Sequence, residues 1–295
     1  MPLTTFNRFT GLNNVDDHVR VRPRDRAIAF TKAVNVDIDK TFKPSRRDGK
    51  EKKLSGDFRS IWTGGVTLAV KDGNLVSINP DTFSTALVKS NVGVSRMYYA
   101  EIGDKVYFSN GTVMGYVEDG IAYNLPVPTI EFKRAMPAGE LLTFFKGRLL
   151  VAKGPCIYYS DAADYDQYDG RSGIVQFKSD VTLMAPVNDG LFVSDASGTY
   201  FMRGTSPEKW SKERVADYGA KKMPPAKIRD MQLGDYTVGN PVMWVSQRGL
   251  CVGGDGGFLK NLTESKYKLP VNVQQASGAF ISRQGLNQFI GVIRA

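Results

Sequence analysis

The 295-residue sequence has a single histidine, His18, and two cysteines, Cys156 and Cys251. Serine- or cysteine-based hydrolysis needs an imidazole held by a third group, and the residues around His18 offer no such group. One histidine and two distant cysteines also fall short of a zinc ligand set, and two cysteines are too few for a disulfide framework. We therefore expect no metal, no cofactor and no enzymatic activity, and we expect both cysteines to be reduced core residues.

Long apolar runs are also missing. No segment approaches the roughly eighteen apolar residues of a membrane helix, and the start "MPLTTFNRFTGLNN" has no apolar signal-peptide core. The phosphate-binding pattern GxxxxGK[ST] is absent, and no GxGxxG lies between a strand and a helix. These absences predict a protein of a soluble compartment without a membrane partner.

Positive charge is abundant and concentrated near the N-terminus. The net charge is +9, and residues 1–55 carry thirteen Lys or Arg against seven Asp or Glu. Alternate residues of an extended strand share one side, so "HVRVRPRDR" would present a basic stripe suited to phosphates or to an acidic protein groove. A solvated charged arm is the alternative. We predict a basic arm over residues 1–26 and a partner- or DNA-facing set made of Arg20, Arg22, Arg24, Arg26, Arg46 and Arg47.

Short apolar runs alternate with glycine-containing turns from residue 59 onward. Asp72-Gly73 and Asp119-Gly120 can supply the positive φ angles that two-residue hairpin turns require. A period near 40 residues with four strands per unit is typical of a β-propeller blade. Six residues mark the repeat at steps of 37, 45, 40, 60 and 36 residues: Trp62, Tyr99, Phe144, Met184, Trp244 and Phe280.

The predicted fold is therefore all-β, a β-propeller over residues 27–295 with an inserted loop near residues 216–240 that accounts for the long step. We predict six blades, with five as the alternative count. The last unit, "GAFISRQGLNQFIGVIRA", offers only two strands. Strands from "RAIAFTKAVNVDIDKTF" would complete this unit, so that both termini close the ring and no sheet edge stays open.

Acidic residues are concentrated in "IYYSDAADYDQYDG", residues 157–170. Carboxylate oxygens suit calcium, but the spacing is not that of an EF-hand. We interpret the segment as a polar connection between strands and as a candidate acidic interface for the basic arm of another subunit. The predicted interface residues are Asp161, Asp164, Asp166 and Asp169.

Several stretches resemble virion proteins of tailed bacteriophages. "GLNNVDDHVRV" followed by "AVNVDIDKTFKPSRRDGK" is similar to the opening of those proteins, where a Gly-Leu-Asn start leads to an Asn-Val-Asp-Ile-Asp strand and an Arg-Arg-x-Gly turn. "GDKVYFSNGTVMGYV", "GRLLVAKGPCIYYSDAADYDQYD" and "VADYGAKK" extend the resemblance along most of the chain. Among these virion proteins, the chain resembles the propeller-bearing nozzle and packaged-DNA stabilisation proteins of short-tailed phages.

This resemblance implies a structural virion protein, made in the host cytoplasm and located in the tail. It implies a homo-oligomeric ring, with six-fold symmetry favoured, that binds other tail or connector proteins on the DNA exit path and contacts DNA without sequence preference. The alternative is a carbohydrate-binding or glycosidase-like propeller for host glycans, with Trp62, Trp210 or Trp244 at a pocket mouth. Trp62 and Trp244 lie within apolar runs, which favours core positions for both.

Overall fold

The computed structural model describes residues 8–15, 27–39, 41–47, 49, 51–228, 231–233, 236–269, 272–283 and 286–294. These residues form thirty β-strands and two short 3-10 turns, and they contain no α-helix. No helix in these ranges is therefore long and apolar enough to cross a membrane. The predicted all-β class is confirmed.

Four short strands precede the repeats and form two small sheets. β1 (Arg8–Leu12) pairs in parallel with β2 (Ala27–Phe30), and β3 (Val36–Ile38) pairs antiparallel with β4 (Pro44–Arg46). Within the described ranges these four strands pair only with one another. They do not complete the last unit of the repeat in the way that the sequence predicts.

Five four-stranded antiparallel sheets follow. Sheet 1 contains β5 (Phe58–Thr63), β6 (Thr67–Lys71), β7 (Asn74–Ile78) and β8 (Thr85–Lys89), and sheet 2 contains β9 (Tyr98–Ile102), β10 (Lys105–Ser109), β11 (Met114–Glu118) and β12 (Ile121–Asn124). Sheet 3 contains β14 (Leu141–Phe145), β15 (Arg148–Lys153), β16 (Cys156–Tyr159) and β18 (Ile174–Gln176), and beside it β13 (Lys133–Ala135) pairs with β17 (Gln167–Asp169).

The remaining strands form two more sheets and two hairpins. Sheet 4 contains β19 (Leu183–Pro186), β20 (Gly190–Asp195), β21 (Gly198–Arg203) and β22 (Ser211–Ala216), with a 3-10 turn at Pro207–Lys209. Sheet 5 contains β23 (Ala226–Lys227), β26 (Val242–Ser246), β27 (Gly249–Gly253) and β28 (Leu259–Asn261), with a 3-10 turn at Asp255–Gly257. The hairpins are β24 (Met231–Leu233) with β25 (Tyr236–Val238), and β29 (Gln275–Arg283) with β30 (Leu286–Arg294).

Tight turns explain why the strands of each sheet follow one another in space. Asp72 and Gly73 have φ angles of +48° and +78°, and Asp119 and Gly120 have +51° and +77°. Both pairs thus adopt the left-handed conformation that two-residue hairpins need, as the sequence predicts. Such a turn reverses the chain at once, so β7 pairs with β6 and β12 pairs with β11.

The 60-residue step from Met184 to Trp244 combines an insertion with a change of strand position in the sheet. Trp62, Tyr99 and Met184 lie on the first strands of their sheets, but Trp244 lies on β26, the second strand of sheet 5. The first strand of sheet 5 is β23, which begins 42 residues after Met184, at Ala226. The insertion is the β24–β25 hairpin between these two strands. The part of the predicted loop before β23 is packed, with Met223 fully buried.

Consecutive sheets pack against one another through their faces. Leu68 of sheet 1 shares a core cluster with Phe108 of sheet 2, and a larger cluster around Leu149 joins sheets 2, 3 and 4. Sheets 4 and 5 meet at Phe192 and Trp244, whose ring centroids are 5.4 Å apart. Complete burial of one such side chain contributes about 1.5–3 kcal/mol, so these layers between sheets supply much of the stability. Trp244 is a core residue, as predicted.

Candidate interaction sites

The acidic segment, residues 157–170, connects the end of β16 to β17 and continues past it. Each of its four aspartate carboxylates accepts a hydrogen bond from a different side chain. The pairs are Asp161 with Lys133, Asp164 with Gln167 (2.6 Å), Asp166 with the Tyr107 hydroxyl (2.9 Å) and Asp169 with Arg171 (2.9 Å). The bond from Tyr107 ties the segment to sheet 2, the bond from Lys133 ties it to β13, and the other two bonds are local to the segment and the residues that follow it.

Two of these contacts shift pKa values. Hydrogen bonds from the side chain and backbone of Arg171 hold the pKa of Asp169 well below its ordinary range. Burial, with the hydrogen bond to Asp166, raises the pKa of Tyr107 above its ordinary value. No three His, Cys, Asp or Glu side chains in the described ranges are placed to hold a metal ion. The role of the segment as an interface stays a prediction.

The predicted basic set is only partly described. Arg20, Arg22, Arg24 and Arg26 lie outside the described residues, as does His18. Two members of the set remain at the end of the small β3–β4 sheet. Arg46 is exposed, and the Arg47 guanidinium donates to the Asp37 carboxylate at 2.7 Å. This hydrogen bond raises the pKa of Arg47 and leaves its charge balanced by a carboxylate.

A cleft of about 930 Å³ opens between the β29–β30 hairpin and the beginnings of sheets 1 and 2. We call it the C-terminal cleft. Its walls combine apolar side chains with cationic ones, and none of its lining residues is a tryptophan. The lining includes Ile61, Val94, Arg96, Ile290, Val292 and Arg294.

Arg96 fastens the hairpin to the segment that leads into sheet 2. Its guanidinium donates to the carbonyl of Ala276 at 2.5 Å and to the hydroxyl of Ser277 at 2.7 Å. A longer bond of 3.4 Å reaches the carbonyl of Lys222, just before sheet 5. The Lys222 ammonium in turn pairs with Glu140 at the start of sheet 3. These contacts bring four parts of the chain, far apart in sequence, to the floor of the cleft.

A second exposed surface lies along the outer edges of sheets 1 and 2. The edge strands β8 and β12 are neighbours, joined by the Lys89 ammonium, which donates to the Asn124 amide oxygen at 2.9 Å. Apolar side chains are exposed on both strands and on the connection that follows β12, where Val127 is 86% exposed. We call the exposed apolar side chains of β8, β12 and this connection the rim patch: Leu87, Ile121, Tyr123, Val127, Ile130 and Phe132.

An aromatic row crosses sheet 2 and continues onto the acidic segment. Tyr107, Tyr116 and Tyr123 are register partners on β10, β11 and β12, and Tyr107 also contacts Tyr165 edge to face. Tyr165 in turn contacts Phe144 at a centroid distance of 5.8 Å. Both ends of the row, at Tyr123 and Phe144, are exposed. The row thus combines a buried centre with accessible ring faces.

The tryptophans proposed for a glycan pocket belong neither to the lining of the C-terminal cleft nor to the aromatic row. Trp62 is half-buried and stacks on Tyr99 at 5.7 Å, and Trp210 is half-buried against Phe145. Sequence reasoning missed the cleft and the rim patch. One signal was available for the cleft: β30, "LNQFIGVIR", carries apolar residues at consecutive positions, which is typical of a strand covered on both faces.

No protein-family model and no curated protein matches the sequence. Among solved structures, the extracellular domain of a putative hybrid two-component system from B. thetaiotaomicron aligns with a TM-score of 0.47 and 8% identity, over 74% of this chain and 29% of that one. A second such domain from the same bacterium gives 0.43 and 12%, over 80% and 33%. Apo AztD from Citrobacter koseri gives 0.43 and 7%, over 74% and 63%. The chain spans less than two thirds of each of these chains, and none of the three is a bacteriophage tail protein.

Proposed function

We propose that this chain is a non-enzymatic structural component of a bacteriophage tail. It acts as a nozzle, head-to-tail completion or tail-hub protein that assembles into a symmetric ring on the DNA exit path. The sequence resemblance names this class of protein, and the stiff all-β scaffold with an exposed apolar edge supports it. Symmetry would multiply contacts that are individually weak.

The rim patch is the observation that carries the proposal. Outer strands of sheets are templates for unwanted pairing, and natural proteins usually protect them with charge, proline or a covering segment. Here β12 instead exposes Ile121 and Tyr123 on one face, and Val127 follows almost fully exposed. Exposed apolar side chains on neighbouring strands are typical of protein contact sites. In the proposed ring, a neighbouring tail protein or subunit covers the rim patch.

The proposal includes a six-bladed ring in which β29 and β30 take the sixth blade position. Phe289 and Ile293 of this hairpin pack onto the core of sheet 5. On its other side the hairpin is fastened by Arg96, which precedes sheet 2. A hairpin held between the fifth sheet and the first two sheets supports closure through the C-terminal strands.

Two experiments test the proposal: the protein composition of purified phage particles, and the incorporation of rim-patch variants into tails. Virions of the phage that encodes the chain would be purified, and tail proteins would be identified by mass spectrometry and located by cryo-electron microscopy. The double variant Ile121→Lys/Val127→Lys places charge on the rim patch. We expect the wild-type chain in the tail, and we expect the double variant to be missing from tails while remaining folded by circular dichroism.

Val34→Lys is the matched control, because Val34 is 67% exposed and lies outside the rim patch. This variant should enter tails at the wild-type level. Absence of the wild-type chain from purified virions would refute the tail assignment. Normal incorporation of the double variant would refute the role of the rim patch.

A glycan-binding propeller is the second candidate, and the aromatic row favours it. Exposed ring faces at Tyr123 and Phe144 can stack on the apolar faces of sugars, and the Asp164 carboxylate on the adjoining segment can accept hydroxyl hydrogen bonds. A glycan array on the purified chain tests this function. Saturable binding that Tyr123→Ala abolishes would support it, whereas an array without saturable binding would reject it.

A further inference from the structure

The β29–β30 hairpin has two apolar faces that lie in different surroundings. On one face, Phe289 and Ile293 pack against sheet 5, and Ala276 is almost completely buried. On the other face, Ile290 and Val292 point into the C-terminal cleft, and Val292 is 65% exposed. Because side chains alternate along a strand, this division follows directly from consecutive apolar positions. Among the described residues, the chain itself covers the first face and leaves the second exposed.

The opposite wall of the cleft is also apolar. Ile61 of β5 and Val94, which precedes sheet 2, are both exposed, and Phe58 lines the same wall. Blades of a propeller bury such faces against each other, but here a volume of about 930 Å³ separates them. An occupant with apolar side chains on alternate positions would contact both walls.

A free strand edge borders the cleft. Both strands of the hairpin have nine residues, and β30 pairs with β29 alone in the described part of the chain. Every other residue on the outer edge of such a strand presents N–H and C=O groups to a new strand. Addition of an extended peptide to an open sheet edge is an established recognition mode. The edge therefore supplies backbone hydrogen bonds, and the two walls supply side-chain contacts.

Charge in the cleft selects the kind of peptide. Lys222 pairs with Glu140, and Arg59 pairs with Asp57. Among the described residues, Arg96 donates only to neutral groups, and neither Arg96 nor Arg294 has an ion pair. The cleft thus has an excess of positive charge that a carboxylate-bearing partner would complement.

We propose that the C-terminal cleft binds an extended acidic peptide segment of a partner protein. The peptide adds as a strand to β30 and places alternate apolar side chains against Ile290 and Val292. Its carboxylates lie near Arg96 and Arg294, the latter on the same face of β30 as Val292. This interaction does not depend on the tail assignment, because it uses a surface distinct from the rim patch.

A selection with displayed random peptides on the full-length chain tests the proposal. We expect enrichment of sequences with apolar residues at alternate positions and Asp or Glu between or beside them. The enriched peptide, made synthetically with a fluorescent label, would then be titrated by anisotropy. Its affinity should fall as salt rises, because ionic screening weakens exposed charge pairs.

Variants locate the binding site. Val292→Asp places charge on the apolar wall, and it should weaken binding at least about tenfold, a typical effect for a central interface side chain. Arg294→Glu should weaken binding of the acidic peptide and should reduce the dependence of that binding on salt concentration. Val34→Asp is the matched control, since Val34 and Val292 are almost equally exposed at 67% and 65%, and it should bind as the wild type does.

Three results would overturn the proposal. The first is a selection in which the wild-type chain enriches no peptide relative to the Val292→Asp chain. The second is enrichment of basic peptides, or of peptides without apolar residues at alternate positions. The third is a change in mass by light scattering, in which Val292→Asp converts an oligomer into monomers and no peptide is enriched. That result would make a second copy of the chain the occupant of the cleft. The rim-patch variants leave the cleft intact, so failure of either proposal is recognised separately.

Discussion

Arg96→Met tests whether the C-terminal hairpin is held by the contacts that the structure assigns to it. Methionine keeps an unbranched apolar side chain but removes both short hydrogen bonds, to Ala276 at 2.5 Å and to Ser277 at 2.7 Å. A hydrogen bond from a charged donor contributes about 1.5–3 kcal/mol net. Water can replace part of this at the half-buried guanidinium, so we expect the hairpin to lose about 2 kcal/mol of local stability in total.

Amide hydrogen exchange measures this loss directly. A change of about 2 kcal/mol corresponds to roughly 30-fold faster exchange where amides open locally. We expect this acceleration in β29 and β30, with much smaller changes in sheets 2 and 3. Urea unfolding followed by tryptophan fluorescence gives the global free energy of unfolding for comparison.

Arg148→Met is the matched control. Arg148 is also half-buried, donates to the carbonyl of Ser160 at 2.7 Å and lies over the ring of Tyr159, much as Arg96 lies over Tyr98. Its contacts are local to sheet 3 and its neighbour, so its loss should leave exchange in the hairpin unchanged. If amide exchange in the hairpin accelerates equally in both variants, or does not accelerate in Arg96→Met, Arg96 does not hold the hairpin. The proposed closure of the ring through this hairpin would then lose its support.

Two further predictions concern the core. A Cβ added at Gly190 would lie 2.1 Å from the ring of Phe201, which is completely buried, so Gly190→Ala should lower the free energy of unfolding by about 1–3 kcal/mol in a urea titration. Gly239→Ala is the control: an added Cβ there has no atom within 4 Å, so the free energy of unfolding should change by less than about 0.5 kcal/mol. Equal effects of the two substitutions would refute the packing around Gly190. Burial raises the pKa of Tyr98 and of Tyr159 from 10.0 to about 12. Because the neutral hydroxyl is favoured in the folded state, stability should fall as the pH rises from 10.0 to about 12, and Tyr98→Phe should flatten this fall; a constant unfolding midpoint across the interval would contradict it.

Local signals in the sequence predicted the repeating sheets well. Asp72-Gly73 and Asp119-Gly120 fix tight turns through their own backbone preferences, so the strand pairs around them could be read without knowledge of the rest of the chain. The first strand of sheet 5 is difficult to predict from the sequence, because β23 has only two residues and carries no apolar run. The strong apolar run around Trp244 is the clearest mark of this sheet in the sequence, but it forms the second strand.

The surfaces depended on information that a linear pattern does not contain. Val127 and Val292 have the same side chain as the buried Val151 and Val193, and only the arrangement of neighbouring sheets decides which of them is covered. Likewise, the four aspartates of residues 157–170 look like a cluster in the sequence. In the fold each carboxylate accepts a hydrogen bond from a different donor: Lys133, Gln167, Tyr107 and Arg171.

The sequence by itself determined the all-β class, the tight turns and the repeat of about 40 residues, because each depends on preferences within a few neighbouring residues. Only the tertiary structure decided how the last hairpin is held. Arg96 and Ala276 are 180 positions apart, and their hydrogen bond exists because the packing of the sheets brings these two segments together. Contacts over such separations arise from packing of whole sheets, which no short segment encodes. The C-terminal cleft and the rim patch are products of that packing.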